Sequence, residues 1–409
     1  MANQEMKICA EEALNGNLED CARLLFPQEG ESIPRLRFNG FEDKWVEATL
    51  GELFTERVES NINGEMLSVT MNNGVIKAAE NGRFDNSNSD KSHYKVVKVN
   101  DIANNSMRMW QGASGCSAYE GIVSPAYTVV TPVEGIDSNF FAYLFKTPSV
   151  IRKFRLHSQG LTSDTWNLKY PAFSKILVSY PKDIEEQRLI ASFLSSLDKQ
   201  ISAQQEQLER LKQMKQSCLG LLFPDNQSIT PPRRFKGFNG EWLIYSYDDV
   251  FTIVNDSKSN ISKTNYLSMG KYPVIDQSKE FIVGYTNQGN PLVPTDGYII
   301  FGDHTREFKY VDFPFYTGAD GTQILNCKNA EQDSLFVYYL CLSLNIPNTG
   351  YNRHLKYLKE STFAIPPTIE EQRRIASFFR SVDKQIETQS QQVEKLKQVK
   401  KACLNQFIA

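Results

Sequence analysis

Residues 184–223 read IEEQRLIASFLSSLDKQISAQQEQLERLKQMKQSCLGLLF. The run contains no proline, and its only glycine, Gly220, lies near its end. Apolar residues recur along it in alternating steps of four and three, which is the pattern of a coiled-coil seam. The pattern predicts one long helix over residues 185–223 that packs lengthwise on another helix. The seam positions are Ile190, Leu194, Leu197, Ile201, Gln204, Leu208 and Leu211.

A similar run recurs 185 residues later (369 minus 184) as IEEQRRIASFFRSVDKQIETQSQQVEKLKQVKKACLNQF. It predicts a second long helix over residues 370–407. Gln204 and Gln389 occupy the same seam position in the two copies, where a buried polar side chain usually fixes the register of paired helices. The second seam consists of Phe379, Val382, Ile386, Gln389, Val393 and Leu396.

The repetition extends to the segments that precede each helix. RFNGF from Arg37, followed by Trp45, recurs as RFKGF from Arg234, followed by Trp242, at an offset of 197 (234 minus 37). Two further pairs keep the same order, namely residues 24–27 with 221–224 and residues 137–138 with 333–334. Because several motifs recur in register, the chain contains two copies of one unit.

Each copy combines a globular part with a helix. Short β-type runs separated by turn signals, with one helix near residues 140–146 or 334–342, predict α+β domains. Two matching helices in one chain should pair with each other, and two-fold pseudosymmetry makes the pair antiparallel. The fold class is therefore two pseudo-symmetric α+β domains joined by two long antiparallel coiled-coil helices. The predicted parts are an N-terminal helical segment 1–30, a first domain 31–182, a central helix 183–226, a second domain 227–367 and a C-terminal helix 368–409.

Composition excludes several classes of protein. Seven cysteines without a CxxC pair argue against a disulfide framework and a zinc site. No apolar run approaches the ~20 residues that span a bilayer, and residues 1–20 lack a secretory signal pattern. A cytoplasmic protein is therefore expected, without membrane association. The net charge of −3 neither supports nor excludes binding to nucleic acid.

Motifs for catalysis are missing from the sequence. Neither NPL from Asn290 nor DFPF from Asp312 matches the loop with which adenine methyltransferases hold a flipped base. There is no glycine-rich nucleotide-binding turn and no Walker-type loop. The acidic pairs that open the two helices fit the favourable field at a helix N-terminus. We therefore expect no catalytic residue, no metal site and no cofactor in this chain.

The repeated motifs resemble the specificity subunits of Type I restriction–modification systems over nearly the whole chain. The residues that carry the resemblance are PxxIEEQR at 181–188 and 366–373 and the RFxGF…W motif of each copy. Further ones are MRMWQG at 107–112, GIVSPAY at 121–127, YPV at 272–274, GY at 284–285 and FGDHTR at 301–306.

The resemblance implies a non-catalytic reader of double-stranded DNA. Its two globular parts would be target-recognition domains that each read one of two unlike half-sites, and its helices would fix the spacer between them. The helices would also dock two methyltransferase subunits, which bind S-adenosylmethionine. Motor-nuclease subunits would cut DNA with ATP and Mg²⁺.

Candidate DNA contacts are polar or basic residues in turns and loops, the types that read base edges and phosphates. For each, the alternative is an ordinary solvated surface residue. In the first domain they are Arg83, Lys91, His93, Lys95, Arg108, Ser158 and Thr162, the last two within a loop at 158–166. In the second they are Asn287, Gln288, His304, Arg306, Lys309, Asn352, Arg353 and His354.

Two other functions remain open on the sequence alone. One is a non-enzymatic protein-binding scaffold built on a coiled coil, which would show no sequence-selective, salt-sensitive retention of duplex DNA. The other is a self-contained modification enzyme, which bound S-adenosylmethionine in the isolated chain would indicate.

Overall fold

The computed structural model describes residues 37–81, 90–162, 164–225, 228–255, 257–318, 321–350 and 352–404. The N-terminal helical segment predicted for residues 1–30 lies outside these ranges. The chain divides into two compact units, one formed by Met1–Gln205 with Gln391–Ala409 and the other by Glu206–Ser390. Each long helix therefore contributes to both units.

The first unit is built on a four-stranded antiparallel sheet in the order β2-β9-β6-β7, beside three two-stranded sheets, β1-β10, β3-β4 and β5-β8. Its strands are β1 (Val46–Thr49), β2 (Phe54–Glu56), β3 (Leu67–Thr70), β4 (Gly74–Lys77), β5 (Lys95–Val97), β6 (Ile102–Asn105), β7 (Ser114–Cys116), β8 (Gly121–Val123), β9 (Tyr127–Pro132) and β10 (Leu177–Tyr180). Its helices are α1 (Leu50–Leu53), α2 (Ser138–Leu144), α3 (Pro148–His157), α4 (Tyr170–Phe173) and the start of α5 (Ile184–Leu222).

The second unit repeats this framework with the sheet β12-β19-β16-β17 and the pair β11-β20. Its strands are β11 (Leu243–Tyr245), β12 (Phe251–Ile253), β13 (Asn260–Ile261), β14 (Tyr272–Ile275), β15 (Gly284–Thr286), β16 (Tyr298–Gly302), β17 (Phe308–Val311), β18 (Tyr316–Gly318), β19 (Thr322–Cys327) and β20 (Phe363–Ile365). Its helices are α6 (Tyr247–Val250), α7 (Ser334–Ser343), α8 (Leu355–Lys359) and the first part of α9 (Ile369–Leu404).

The shared framework confirms the pseudo-symmetric α+β fold class. Helices α2 and α7 begin in the same way, because the carboxylates of Asp137 and Asp333 each accept the backbone N–H three residues on, at 2.8 Å. This contact explains why that acidic residue recurs in both copies. The copies differ outside the framework, where β3-β4 and β5-β8 of the first unit are replaced by the mixed sheet β13-β18-β14-β15.

The repeated sequence motifs meet at the start of each long helix. Arg37 forms a bidentate ion pair with Glu186, with both N–O distances 2.7 Å, and the Trp45 indole N–H donates to the same carboxylate at 3.4 Å. Arg234 pairs in the same way with Glu371, at 2.6 Å for both contacts. The RFxGF motif therefore fastens each globular part to the first turn of its helix.

The glutamine of each IEEQR motif satisfies backbone groups at the same junction. Gln187 accepts the backbone N–H of Asp137, and Gln372 accepts that of Asp333, both at 2.8 Å. Each side-chain amide also donates to the carbonyl of the proline six residues earlier, at 2.9 and 3.1 Å. Because these glutamines are buried, the bonds remove a desolvation cost and fix the direction of the helix.

The two long helices pack antiparallel in each unit, as predicted. In the first unit, Leu194 near the start of α5 lies in one apolar core with Val399 near the end of α9. In the second, Phe223 just beyond α5 stacks on Phe379 near the start of α9, with centroids 5.8 Å apart. All predicted seam residues are buried or half-buried, including Gln204 and Gln389.

A polar cluster beside this packing also occurs twice. In the first unit the hydroxyl of Tyr143 on α2 donates to Asp198 on α5 at 2.9 Å, and Asp198 pairs with Lys400 on α9. The second unit has the same cluster, formed by Tyr339, Asp383 and Lys215. Each cluster ties a globular part to both helices at once.

None of the helices in the described part of the chain combines the length and the apolar character that a membrane span requires.

Candidate nucleic-acid interface

Two of the segments predicted from the first half of the sequence lie together in the first unit. Residues 106–111 follow β6, and residues 158–162 and 164–167 follow α3. The backbone N–H of Leu168 donates to the carbonyl of Ser106 at 2.9 Å, and the rings of Trp110 and Trp166 meet edge to face at 5.3 Å. We call these residues the first loop pair.

The described residues of the second member form a loop that is closed at its base. Gln159 and Asn167 exchange two backbone hydrogen bonds of 2.9 Å, which close its base as in a short two-stranded ribbon. Near the tip, the Thr165 hydroxyl donates to the Thr162 carbonyl at 2.9 Å. Gly160 has φ of +147°, and a Cβ there would lie 2.6 Å from the Thr165 carbonyl oxygen, so only glycine fits.

Basic side chains flank the first loop pair. Arg108 is exposed beside the 3-10 turn Met109–Gln111. The guanidinium of Arg155 on α3 lies 5.4 Å from the Trp166 ring centroid, a cation–π contact that holds the charge at the surface. Thr162 is exposed, whereas the Ser158 hydroxyl donates to the Phe154 carbonyl at 2.8 Å and so serves to end α3.

Lys146 supports the first loop pair from below. Its ammonium donates to the carbonyl of Gly112, which follows the 3-10 turn, and to that of Met71 at 2.9 Å. Burial lowers the pKa of Lys146 to about 8, with the charge of Lys400 acting in the same direction. The half-buried lysine thus supports the turn that carries Trp110.

Two predicted segments of the second unit also meet. Residues 303–306 follow β16, and residues 347–350 and 352–354 precede α8; we call them the second loop pair. Asp303 organises it, since its carbonyl accepts the backbone N–H of His354 at 2.8 Å and its carboxylate accepts that of Leu355 at 2.7 Å. The Nδ1 atom of His304 lies 3.3 Å from the Asn352 carbonyl.

Three of the predicted contacts in this unit make hydrogen bonds within the fold. His354 is 0% exposed, with Nδ1 at 2.9 Å from the Asp303 carbonyl and Nε2 at 3.3 Å from Thr349, so we reassign it as a residue that holds the loop. Lys309 is buried and donates to the Asp276 and Glu280 carbonyls; burial lowers its pKa. Arg306 has φ of +64° and donates to the Ile346 carbonyl at 3.1 Å.

Arg353 and Asn352 remain at the surface of the second loop pair. The Arg353 side chain is 68% exposed, and its Nε lies 4.0 Å from the buried carboxylate of Asp303. Asn352 is exposed, with its side-chain amide donating to the Thr349 carbonyl. The Arg353 guanidinium therefore lies at the surface beside a buried carboxylate, and its planar shape suits hydrogen bonding to a base edge or a phosphate.

The two loop pairs occupy the same place in the two units. Strands β6 and β16 are third in equivalent sheets, and each leads into the first member of its pair. One backbone hydrogen bond then joins the two members in both cases, from Leu168 to Ser106 and from His354 to Asp303. The loops at 158–166 and 352–354 are both predicted from the sequence as candidate DNA contacts. No local sequence signal indicates that they would meet the turns that follow β6 and β16.

The other candidates lie in the parts where the units differ. His93 is exposed, Lys91 is half-buried, and Lys95 on β5 reaches Glu56 at 3.3 Å. In the second unit Asn287 and Gln288 are exposed after β15, and Asn287 accepts the backbone N–H of Lys271 at 2.9 Å. Arg83 lies outside the described residues.

Sequence reasoning missed two residues that shape these surfaces. Arg155 was not selected because α3 has no counterpart in the sequence repeat. Gln277, whose side-chain carbonyl accepts the backbone N–H of His304 at 3.1 Å, is 27 residues away from it (304 minus 277) and carries no local signal. Among the described residues, no group of three or more histidine, cysteine or acidic side chains could hold a metal ion.

Residues 42–213 and 239–398 each match the family described as Type I restriction modification DNA specificity domain. The chain belongs to this family. It is therefore a DNA target-recognition subunit of a restriction–modification complex and not the catalytic part of it.

Solved structures are similar over most of the chain. The S subunit of a Type I restriction–modification system from M. genitalium matches with a TM-score of 0.60 and 16% identity, covering 91% of this chain and 99% of that one. A chain from a study of assembly and conformational transition of the type I R-M system matches with a TM-score of 0.49, 15% identity and coverage of 88% and 96%. The HsdS subunit from Thermoanaerobacter tengcongensis matches with a TM-score of 0.42 and 16% identity, covering 90% of this chain and 96% of that one. At these identities the first match supports the fold alone.

Proposed function

We propose that the specificity subunit reads a bipartite duplex target, with one loop pair on each half-site. The observation that carries this proposal is that the two loop pairs hold the same place in equivalent frameworks but present different side chains. Equivalent placement suits two readers of one duplex, as dimeric repressors place equivalent elements on two half-sites. Unlike side chains predict that the two half-sites differ in sequence.

Residues of each loop pair are assigned by exposure and chemistry. Arg108 and Thr162 are the proposed contacts of the first pair, and His304, Asn352 and Arg353 those of the second. All are exposed except His304, which is half-buried. Their guanidinium, hydroxyl, imidazole and amide groups can form hydrogen bonds with base edges. The candidates outside the two loop pairs are proposed to contact the flanking phosphates, which position a protein on the duplex without reading its sequence. They are Lys91, His93, Lys95, Asn287 and Gln288.

The two long helices are proposed to fix the spacer between the half-sites. Their buried seam and the twofold Lys–Asp–Tyr clusters hold them in one register, so a slip would have to break an ion pair in each unit. We further propose that the helices dock two methyltransferase subunits and that motor-nuclease subunits join them in the cytoplasm. S-adenosylmethionine, ATP and Mg²⁺ would then be bound by those partners.

Selection of duplexes from a random library tests this function directly. The full-length chain, purified with its methyltransferase partner, should retain duplexes that share two unlike short motifs separated by one fixed gap. Retention should fall steeply as salt rises, because phosphate contacts release counterions. Retention without sequence enrichment, or none at low salt, would contradict the proposal and favour a protein-binding scaffold.

A further inference from the structure

Leu161 is the most exposed large apolar side chain in the described part of the chain, at 101% of the reference area. It lies near the tip of the ribbon-like member of the first loop pair, between Gly160 and Thr162. Single exposed leucines are common on protein surfaces and need no explanation by themselves. This one differs because the loop that presents it is braced on both sides.

Hydrogen bonds and ring contacts on both sides of Leu161 restrict the loop that carries it. The paired backbones of Gln159 and Asn167 close the base of the ribbon, and the Thr162–Thr165 hydrogen bonds close its tip. Trp166 packs on Trp110, and the guanidinium of Arg155 lies 5.4 Å from the Trp166 ring centroid. An apolar group held in solvent by an ordered loop loses little conformational entropy when it binds a partner.

We propose, on the basis of the function proposed above, that Leu161 contacts the C5-methyl group of a thymine in the major groove of the first half-site. The loop consists of two backbone segments joined at the single bridge between Gln159 and Asn167. The major groove is wide enough to admit an element of two backbone segments, and the minor groove is about half as wide. The thymine methyl is the apolar group that the major groove offers, and apolar side chains read it there. The exposed Arg108 and the surface guanidinium of Arg155 supply charge that suits a duplex.

The second loop pair has no such group among its described residues. Residues 347–350 and 352–354 are all polar or glycine except Pro347. Among the described residues, the first loop pair thus presents an exposed apolar side chain, whereas the second presents the polar side chains of Asn352, Arg353 and His304. This difference provides a physical reason for two unlike half-sites.

The test combines a protein variant with a single-methyl change in the DNA. The selected target is prepared with each thymine of the first half-site replaced in turn by deoxyuridine, which lacks only the C5-methyl group. Binding is compared for the wild-type complex, Leu161→Ala and Leu156→Ala. Leu156 is a matched control, because it is a 72% exposed leucine on α3. Neither change removes a core contact, so both variants should fold.

Wild type and Leu156→Ala should bind about fourfold more weakly at one deoxyuridine position, as expected for the burial of one methyl group. Leu161→Ala should bind the thymine duplex with that same loss and should no longer distinguish thymine from deoxyuridine. Leu161→Ala that keeps the wild-type sensitivity, or wild type that is insensitive at every thymine, overturns this inference while leaving two-site recognition intact. Unchanged DNA binding with reduced co-purification of the methyltransferase partner also overturns it, since Leu161 would then face a protein. Absence of any sequence-selective binding by wild type would instead contradict the proposed function.

Discussion

Replacing Arg234 by alanine should destabilise the second unit more than replacing Arg37 destabilises the first. Both arginines form bidentate ion pairs with a glutamate whose side chain is 1% exposed. The surroundings differ, however. Without Arg37, the carboxylate of Glu186 keeps the Trp45 indole N–H at 3.4 Å. In the second unit the equivalent indole, that of Trp242, has no hydrogen-bond partner among the described residues.

The structure gives the size of each effect. Removal of one partner from a buried ion pair costs roughly 3–5 kcal/mol, because the remaining charge stays buried. Arg234 also donates to the carbonyls of Gly240 and Asn239, whereas the Nη1 atom of Arg37 finds no acceptor among the described residues. We therefore expect a loss near the upper end of that range for Arg234→Ala. In Arg37→Ala the Trp45 indole still donates to the Glu186 carboxylate. A hydrogen bond to a charged group contributes about 1.5 kcal/mol, so we expect the loss for Arg37→Ala to be smaller than that for Arg234→Ala by about this amount.

Each unit can be followed separately by hydrogen–deuterium exchange at increasing urea concentrations. Peptides from α2 report the first unit, and peptides from α7 report the second. Arg233→Ala is the matched control, because Arg233 is an exposed arginine next to Arg234. Its free energy of unfolding should match that of the wild type within about 0.5 kcal/mol.

The reasoning would be refuted by equal losses for Arg37→Ala and Arg234→Ala. It would also be refuted if Arg234→Ala behaved like Arg233→Ala, since the ion pair would then contribute nothing beyond a surface contact. Destabilisation of the wrong unit would show that the two junctions are not independent.

Three further predictions follow from the loop pairs and the helices. Arg353→Ala should weaken selection at the second half-site by about 1–3 kcal/mol and spare the first, as measured by duplex selection; equal losses at both would assign Arg353 to folding or to phosphates. The native pKa of Lys146, about 8 against the usual 10.5, means that the folded state binds fewer protons than the unfolded state between these values. The wild-type free energy of unfolding should therefore rise relative to that of Lys146→Met from pH 8 to 10.5, and parallel curves in urea titrations would contradict this. One heptad inserted at matched places in both helices adds about 10 Å and should lengthen the spacer by about three base pairs at ~3.4 Å each; an unchanged spacer would refute the role of the helices.

The periodic and repeated parts of the fold were predictable from the sequence. The four-three spacing from Ile190 to Leu211 identified a seam, because a helix places residues three and four positions apart on the same face and this spacing is visible in the local sequence. The described parts of the two helices are Ile184–Leu222 and Ile369–Leu404, and the predicted end of the second helix at residue 407 lies outside the described residues. Asp137 and Asp333 were recognised only as recurring residues, and the structure shows that each of them caps the helix that follows it.

Contacts between distant residues were not predictable. The pairing of Arg37 with Glu186 joins residues 149 positions apart, so the two motifs were recognised without their connection. His354 was predicted to contact DNA because it is a polar residue in a loop, yet both its ring nitrogens make contacts inside the loop. Helix α3 went unpredicted because it has no counterpart in the repeat, and Arg155 was missed with it.

The most direct test of two-site recognition is a map of N6-methyladenine across the genome of an unmodified host that expresses this chain with its methyltransferase partner. The account predicts new methylation confined to one split motif, with two unlike halves and one fixed gap. Replacing residues 159–162 and 164–167 should alter one half and leave the other half and the gap unchanged. Methylation at a continuous motif, or none from an assembled complex that binds its cofactor, would contradict the account.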